Sequence, residues 1–258
     1  MSRLDQLPAP LRRALEDRCA LKVIAGLTNF EEASVERISR AAGRGGADVI
    51  DIACDPALVK LAAGVSGVPI CVSAVDPELF PAAVEAGAAM VEIGNYDAFY
   101  PLGRRFDAEE VLALTHRSRA LLPQVVLSVT VPHVLPLDQQ ERLAVELVAA
   151  GADIIQTEGG TSARPSRAGI LGLIEKASPT LAAAHCISRA LIAAGSSAPV
   201  LCASGLSAVT VPLAIAAGAA GVGVGSAVNR LNDELAMLAV VRGLREAIGG
   251  PVQTRISA

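Results

Sequence analysis

The stretch Ala149-Ala-Gly-Ala-Asp-Ile-Ile-Gln156 carries the pattern that decides the fold. It reads as the end of a helix, a glycine and an alanine, and then an apolar strand. Glycine fits this place because the residue that ends a helix is often left-handed. The same Gly-Ala step recurs at residues 46–47, 87–88 and 218–219. Such recurrence indicates a chain that repeats a helix-to-strand unit.

The remaining four strands are predicted before and between these steps. One covers residues 21–26, and others begin near Pro69, Gln124 and Pro199. Eight strands, each followed by a helix, could form an open doubly wound sheet or a closed barrel. The repeats and the length of 258 residues favour the barrel, since such barrels have about 250 residues. We predict an α/β fold with a single (βα)₈ TIM barrel over residues 1–258, in which residues 1–19 form a helical lead-in.

Composition excludes several classes of function. The net charge of −4 argues against nucleic acid as a partner, which requires a basic surface. No apolar run is long enough for a membrane span. The 5 cysteines and 3 histidines show no metal-ligand spacing, so no metal is predicted. Unpaired cysteines and no visible signal peptide indicate a cytoplasmic protein. A homo-oligomer is compatible with this composition.

The predicted barrel interior is polar. Side chains of a strand alternate between the two faces of the sheet, and the bulky apolar residues are expected to face the helices. This rule points five polar side chains inward: Lys22, Asp51, Glu92, Gln156 and Glu158. Ordinary barrels fill this space with branched apolar residues. Either a salt-bridge network fixes the barrel, or these groups, with one lysine against three carboxylates, form a functional site.

Strand seven is interpreted by the same rule. It places Leu201 and Ala203 outward and Cys202 and Ser204 inward.

Two carboxylates after earlier strands, Asp55 and Asp76, each precede a proline and are better explained as helix caps than as catalytic groups.

Glycines at the ends of strands seven and eight predict a phosphate site. Backbone N–H groups can approach an anion where glycine leaves room, and the loops after these strands often bind phosphate in barrels. The predicted phosphate-binding residues are Ser204, Gly205, Leu206, Gly225 and Ser226. The alternative is that these glycines serve only tight turns.

Two long loops are predicted to hold the substrate. The loop over residues 95–105 follows strand four, and the loop over residues 159–169 follows strand six. Loops at this end of a barrel commonly carry specificity. The predicted substrate-binding residues are Gln156, Gly160, Arg104, Arg105 and Arg164, and Arg167 lies in the same loop as Arg164. Alternatively, the arginines are solvated surface charges.

Lys22 is predicted to form an imine with the carbonyl of a phosphorylated metabolite. Lysine can lose its proton when it is desolvated and then act as a nucleophile. Glu92 and Glu158 are predicted as its acid and base, and Asp51 as the group that orients it. His133, after strand five, is either a further acid or base or a turn residue.

The chain resembles an uncharacterised family of cyanobacteria and red-algal plastids. The residues that carry this resemblance are 22–30, 72–75, 92–95, 103–106, 128–133, 156–161, 202–206 and 223–227. The resemblance implies a barrel of unknown function. The last two segments also resemble phosphate-binding barrels such as thiazole synthase, the pyridoxal phosphate synthase subunit and flavin-mononucleotide barrels. The likeness to thiazole synthase implies a precedent for a Schiff-base lysine.

Three functions therefore stay open. The first is a cofactor-free lyase, synthase or isomerase that acts on a phosphorylated small molecule. The second is an oxidoreductase that binds flavin mononucleotide (FMN) in the phosphate site, although only 2% of residues are aromatic and could pack against the flavin ring. The third is a non-catalytic barrel that binds a phosphorylated metabolite or has a regulatory role.

Overall fold

The computed structural model describes residues 2–159 and 163–249. Eight parallel strands close into a barrel in sequence order, and β8 pairs with β1. The strands are β1 (Ala20–Gly26), β2 (Val49–Ala53), β3 (Ile70–Ala74), β4 (Met90–Ile93), β5 (Val126–Thr130), β6 (Ile154–Gln156), β7 (Val200–Ala203) and β8 (Gly221–Val224). The predicted (βα)₈ TIM barrel is therefore confirmed.

The helices surround the barrel and precede or follow its strands. They are α1 (Ala9–Glu16), α2 (Glu32–Gly45), α3 (Pro56–Ser66), α4 (Phe80–Glu85), α5 (Ala108–Leu121), α6 (Leu137–Ala149), α7 (Gly169–Ala193), α8 (Val211–Ala216), α9 (Ser226–Asn229) and α10 (Glu234–Ile248). In the described ranges, no helix combines the length and the apolar character that a membrane span needs.

The Gly-Ala-Asp steps set the register of two strand pairs. The Asp48 carboxylate accepts the N–H of Leu21 at 2.8 Å, and the Asp48 N–H donates to the Leu21 carbonyl at 2.9 Å. Asp153 does the same with Leu127, at 2.9 and 2.8 Å. Each aspartate therefore fixes the start of its strand against the preceding strand.

Arginines neutralise these two aspartates. Arg245 of α10 is buried and pairs with Asp48. Arg3 and Arg119 each contact Asp153 at 2.8 Å. Because a buried carboxylate is costly without a partner, these ion pairs explain why the aspartates can lie at the bottom of the barrel.

Helix α1 closes the bottom of the barrel. Leu7 and Leu11 pack against a layer of inward apolar side chains, made of Ala20, Val49, Cys71, Met90, Val126, Ile154, Leu201 and Ala220. Because this inward layer includes large side chains such as Met90, Ile154 and Leu201, bulk alone does not mark the outward face.

The predicted orientation of β7 is wrong for this reason. Leu201 faces inward in the bottom layer. Cys202 faces outward, with its sulfur 3.6 Å from the Thr180 carbonyl of α7. Ala203 faces inward, since a Cβ added to the neighbouring Gly223 would lie 2.9 Å from the Ala203 Cβ. Ser204 follows the strand in a left-handed conformation, with φ of 68°.

The predicted caps are confirmed at two helix starts. The Asp55 carboxylate accepts the N–H groups of Ala57 at 2.8 Å and Leu58 at 3.0 Å. The Asp76 carboxylate accepts the Glu78 N–H at 3.1 Å. Both carboxylates are thus engaged in local structure.

Candidate functional site

Lys22 lies at the centre of a buried polar layer, directly above the inward apolar layer that packs on α1. Its Nζ is 2.6 Å from Glu92 Oε2 and 3.1 Å from Asp51 Oδ2. It also donates to Gln156 Oε1 at 3.1 Å. These four side chains come from β1, β2, β4 and β6, and each is at most 1% exposed. The alternation of these strands was therefore predicted correctly.

Hydroxyl and amide groups complete this layer. Ser73 donates to Asp51 at 2.6 Å, and Ser128 donates to Glu92 at 2.7 Å. Gln156 Nε2 donates to Glu92 Oε1 at 2.7 Å. Gln156, predicted to bind substrate, is thus a buried partner of Lys22 and Glu92.

Asn95 connects the buried layer to the mouth of the barrel. It is left-handed, with φ of 62°, and its amide lies 3.2 Å from Asp51 Oδ2 and 3.3 Å from Glu92 Oε1. The sequence interpretation missed this residue. Its signal was an asparagine two residues after the end of a strand, because asparagine tolerates the left-handed conformation better than most residues.

The electrostatics of this layer favour the charged form of Lys22. Burial lowers the pKa of Lys22, but the charges of Asp51 and Glu92 outweigh burial and hold the pKa above its ordinary value. Burial raises the pKa of Glu92 despite the adjacent ammonium, and Asp51 adds to this rise. One ammonium cannot neutralise two buried carboxylates, and the raised pKa of Glu92 favours its protonated form.

Glu158 lies in a separate cluster at the mouth. Its Oε1 accepts the backbone N–H of His133 at 3.1 Å and the hydroxyl of Tyr100, and it lies 3.3 Å from His133 Nδ1. Glu158 is 4% exposed, and among the described residues its Oε2 has no hydrogen-bond partner. The structure therefore brings Glu158 and His133 together. Tyr100, which the sequence interpretation missed, joins them from the loop after β4.

Burial dominates the titration of this cluster. It raises the pKa of Glu158 to about 8, and the charge of Asp97 raises it further. It also lowers the pKa of His133, an effect that Asp97 opposes and Arg105 reinforces. At neutral pH Glu158 is thus mainly a neutral acid beside a neutral imidazole. Such a pair suits proton transfer near pH 7.

A cavity of about 480 Å³ adjoins this cluster. Its lining residues are Asp97, Tyr100, Pro101, Arg105, His133, Val134 and Arg164. The cavity is therefore built by the loops after β4, β5 and β6 and is of a size that holds a small molecule.

Only two of the four loop arginines reach the cavity. Arg105 and Arg164, both predicted to bind substrate, line it, and substrate binding stays a prediction. Arg104 instead pairs with Glu110 and stacks 4.3 Å from the ring centre of Phe106. Arg167 lies 3.8 Å from Glu175 of α7.

The residues predicted to bind phosphate lie at the ends of β7 and β8. Ser204 Oγ accepts the N–H of Gly159 at 3.0 Å, which ties the end of β7 to the end of β6. Gly205 is left-handed with φ of 76°, and Gly225 precedes α9. Leu206 is buried. Gly160, the remaining predicted substrate-binding residue, lies outside the described residues. Phosphate binding stays a prediction.

Two groups of side chains have the spacing of metal ligands. In the described ranges, one ligand atom from each of Asp51, Cys71 and Glu92 lies within 4.8 Å of the others, as for Asp97, His133 and Glu158. Lys22 already supplies a cation to Asp51 and Glu92. The predicted absence of a metal stays a prediction.

Comparison with protein families gives the classification of the chain. A family described as "Protein of unknown function (DUF561)" matches residues 7–253. The chain belongs to this family. It is 43% identical over 229 residues to the uncharacterized protein ycf23 of Cyanophora paradoxa, covering 87% of the chain and 90% of the relative. It is 36% identical over 232 residues to ycf23 of Pyropia yezoensis, covering 90% and 83%. The resemblance predicted from the sequence is confirmed.

Solved structures with similar folds include enzymes named for phosphorylated compounds. Deoxyribose phosphate aldolase from Aeropyrum pernix matches with a TM-score of 0.59 and 19% identity, covering 88% of this chain and 92% of that one. (S)-3-O-Geranylgeranylglyceryl phosphate synthase from Thermoplasma acidophilum, solved with its substrate sn-glycerol-1-phosphate, matches with a TM-score of 0.59 and 14% identity, covering 96% and 98%. At these identities the similarity establishes the fold alone.

Proposed function

We propose that this DUF561 protein is an enzyme that moves a proton on a phosphorylated small molecule, in a lyase, synthase or isomerase reaction. The observation that carries the proposal is the Glu158 carboxyl group. It is buried in contact with Tyr100 and His133, which line the cavity. Its Oε2 has no partner in the described part of the chain, and its pKa is raised to about 8. A general base works best when its pKa lies near the working pH.

The neighbouring groups give each oxygen of Glu158 a separate role. Tyr100 and the His133 backbone hold Oε1, so the carboxyl group has a fixed orientation. Oε2 then exchanges the proton with the carbon next to a substrate carbonyl. His133, which lines the cavity, acts as the second acid or base. The phosphate binds the N–H groups of the loops after β7 and β8, around Gly205 and Gly225.

Lys22 has a structural role in this proposal. Imine formation needs the neutral amine, whereas Asp51 and Glu92 stabilise the ammonium. Lys22 is fully buried, and Asn95 lies between its carboxylate partners and the mouth. An imine at Lys22 stays a prediction, and borohydride reduction with a phosphorylated ketone tests it through a mass increase on the peptide that contains Lys22.

Hydrogen–deuterium exchange into a bound ligand tests the proton transfer without knowledge of the full reaction. Phosphorylated ketones, such as dihydroxyacetone phosphate and ribulose 5-phosphate, are first ranked by the rise in melting temperature that they cause. Those that bind are incubated with the protein in D₂O, and deuterium next to the carbonyl is measured by mass spectrometry. We expect exchange that increases with pH up to about 8, because Glu158 must lose its proton to act as a base. Glu158→Gln should slow exchange at least about 100-fold.

The control is Glu109→Gln, which changes an exposed carboxylate of α5 and should leave the exchange rate unchanged. Exchange that survives in Glu158→Gln would contradict the proposed base. Binding of these ketones with no exchange at any pH would favour the non-catalytic barrel. A yellow purified protein with flavin absorbance would favour the FMN oxidoreductase.

A further inference from the structure

We propose that the substrate carries two anionic groups, and that Arg105 and Arg164 bind the second one in the cavity after β4–β6. This inference deepens the proposed function and rests on it, because the first anion is the phosphate held after β7 and β8. The second anion is a carboxylate or another phosphate, both of which arginine binds through paired N–H groups.

The pairing of the four loop arginines distinguishes two classes. Arg104 and Arg167 have acidic partners on the adjacent helices, Glu110 and Glu175. Arg105 and Arg164 form no ion pair within the described residues and line the cavity. Two cations on separate loops that face one space of about 480 Å³ are suited to an anionic ligand.

The charges around the cavity favour an anion. Asp97 is the acidic residue among the lining side chains. Burial keeps His133 neutral and Glu158 mainly protonated at pH 7. Two arginines against one carboxylate therefore leave a net positive charge, which a carboxylate or phosphate of the ligand would balance.

The position of Arg164 is supported by a specific loop structure. The Glu175 carboxylate of α7 accepts the backbone N–H of Ser166 at 2.6 Å and that of Arg167 at 3.3 Å. The loop also packs so tightly on α7 that a Cβ at Gly172 would lie 2.1 Å from the Arg167 carbonyl oxygen. The backbone that follows Arg164 is thus fixed against the helix.

The order of strands sets the direction in which the ligand lies. The phosphate loops follow β7 and β8, whereas Arg105 and Arg164 lie in the loops after β4 and β6. Glu158 follows β6, the strand among these that pairs with β7, so it lies on the side of the cavity loops nearest the phosphate loops. A ligand held at both ends would therefore place its middle carbons next to the Glu158 carboxyl group.

Pairs of probes that differ in one anionic group test this inference. The pairs are 3-phosphoglycerate with glycerol 3-phosphate, 6-phosphogluconate with sorbitol 6-phosphate, and fructose 1,6-bisphosphate with fructose 6-phosphate. Dissociation constants are measured by calorimetry at constant ionic strength. We expect the member with two anions to bind at least about ten-fold more tightly in one or more pairs, as charge-assisted hydrogen bonds predict. The first two pairs report a carboxylate, and the third reports a second phosphate.

Matched arginine variants locate this preference. Arg105→Gln and Arg164→Gln should reduce it to less than about two-fold while leaving the affinity for the singly charged member unchanged. Arg104→Gln and Arg167→Gln remove the same charge from the same two loops and should preserve it. Equal binding within every pair, or equal effects of all four variants, would overturn the second anion site, while competition by inorganic phosphate would still support the first. If neither the probes nor inorganic phosphate binds, the proposed function is overturned together with this inference.

Discussion

Lys22→Met is expected to lower the free energy of unfolding by about 3–5 kcal/mol at pH 8, the usual cost of removing one member of a buried ion pair. The Lys22 ammonium contacts two carboxylates that are at most 1% exposed, Asp51 and Glu92. Methionine fills much of the same volume but leaves both carboxylates without a counter-charge. Urea denaturation monitored by circular dichroism measures the loss.

The dependence of this loss on pH identifies its cause. Without Lys22, the folded-state pKa of Glu92 rises further above that of the unfolded chain. The free-energy cost of burying an ionised Glu92 is then absent below the pKa of the unfolded chain, where the carboxyl group is protonated in both states. This cost increases as the pH rises. We therefore expect a smaller loss at pH 5.5 than at pH 8. The control is the double variant Lys22→Met with Glu92→Gln, which removes the shortest pair entirely and should recover part of the loss. A loss below about 1 kcal/mol at both pH values would show that the layer does not depend on this cation.

The sequence predicted the fold and one face of most strands. The Gly-Ala steps located four strands, and alternation correctly directed Lys22, Asp51, Glu92 and Gln156 into the barrel. The same rule failed at β7 because Leu201 belongs to the inward apolar layer that packs on α1. A rule based on bulk holds only where the interior layer is polar or small. It fails where the barrel must be closed with large apolar side chains.

Alternation predicts the face of a residue but not its neighbours across the barrel. Glu158 was grouped with Lys22, yet it lies two residues beyond Gln156 and contacts Tyr100 and His133 instead. Contacts made by loops have no periodic pattern. This is why Tyr100 was missed, and why the sequence could not separate the arginines that line the cavity from Arg104 and Arg167.

Glu158→Gln is expected to make the protein more stable than the wild type at pH 9 and to change its stability little near pH 4.5. Burial raises the pKa of Glu158 to about 8 from an ordinary value of 4.5. Between these two pH values the folded protein keeps a proton that the unfolded chain has released. The stability contributed by the protonated carboxyl group is therefore fully present below pH 4.5 and is lost as the pH rises through 8.

Glutamine resembles the protonated carboxyl group in shape and cannot ionise, so the variant should not show this loss. At 1.36 kcal/mol for each pKa unit, the difference between the two proteins should grow by roughly 3–6 kcal/mol from pH 4.5 to pH 9. Urea denaturation at several pH values measures this difference, and subtracting the wild-type curve removes the contribution of all other groups. Glu109→Gln, at an exposed position, should follow the wild type throughout. A constant difference between Glu158→Gln and the wild type across this range would mean that Glu158 has an ordinary pKa in the folded protein. The carboxyl group would then be ionised at neutral pH, and the argument for a base that titrates near the working pH would fail.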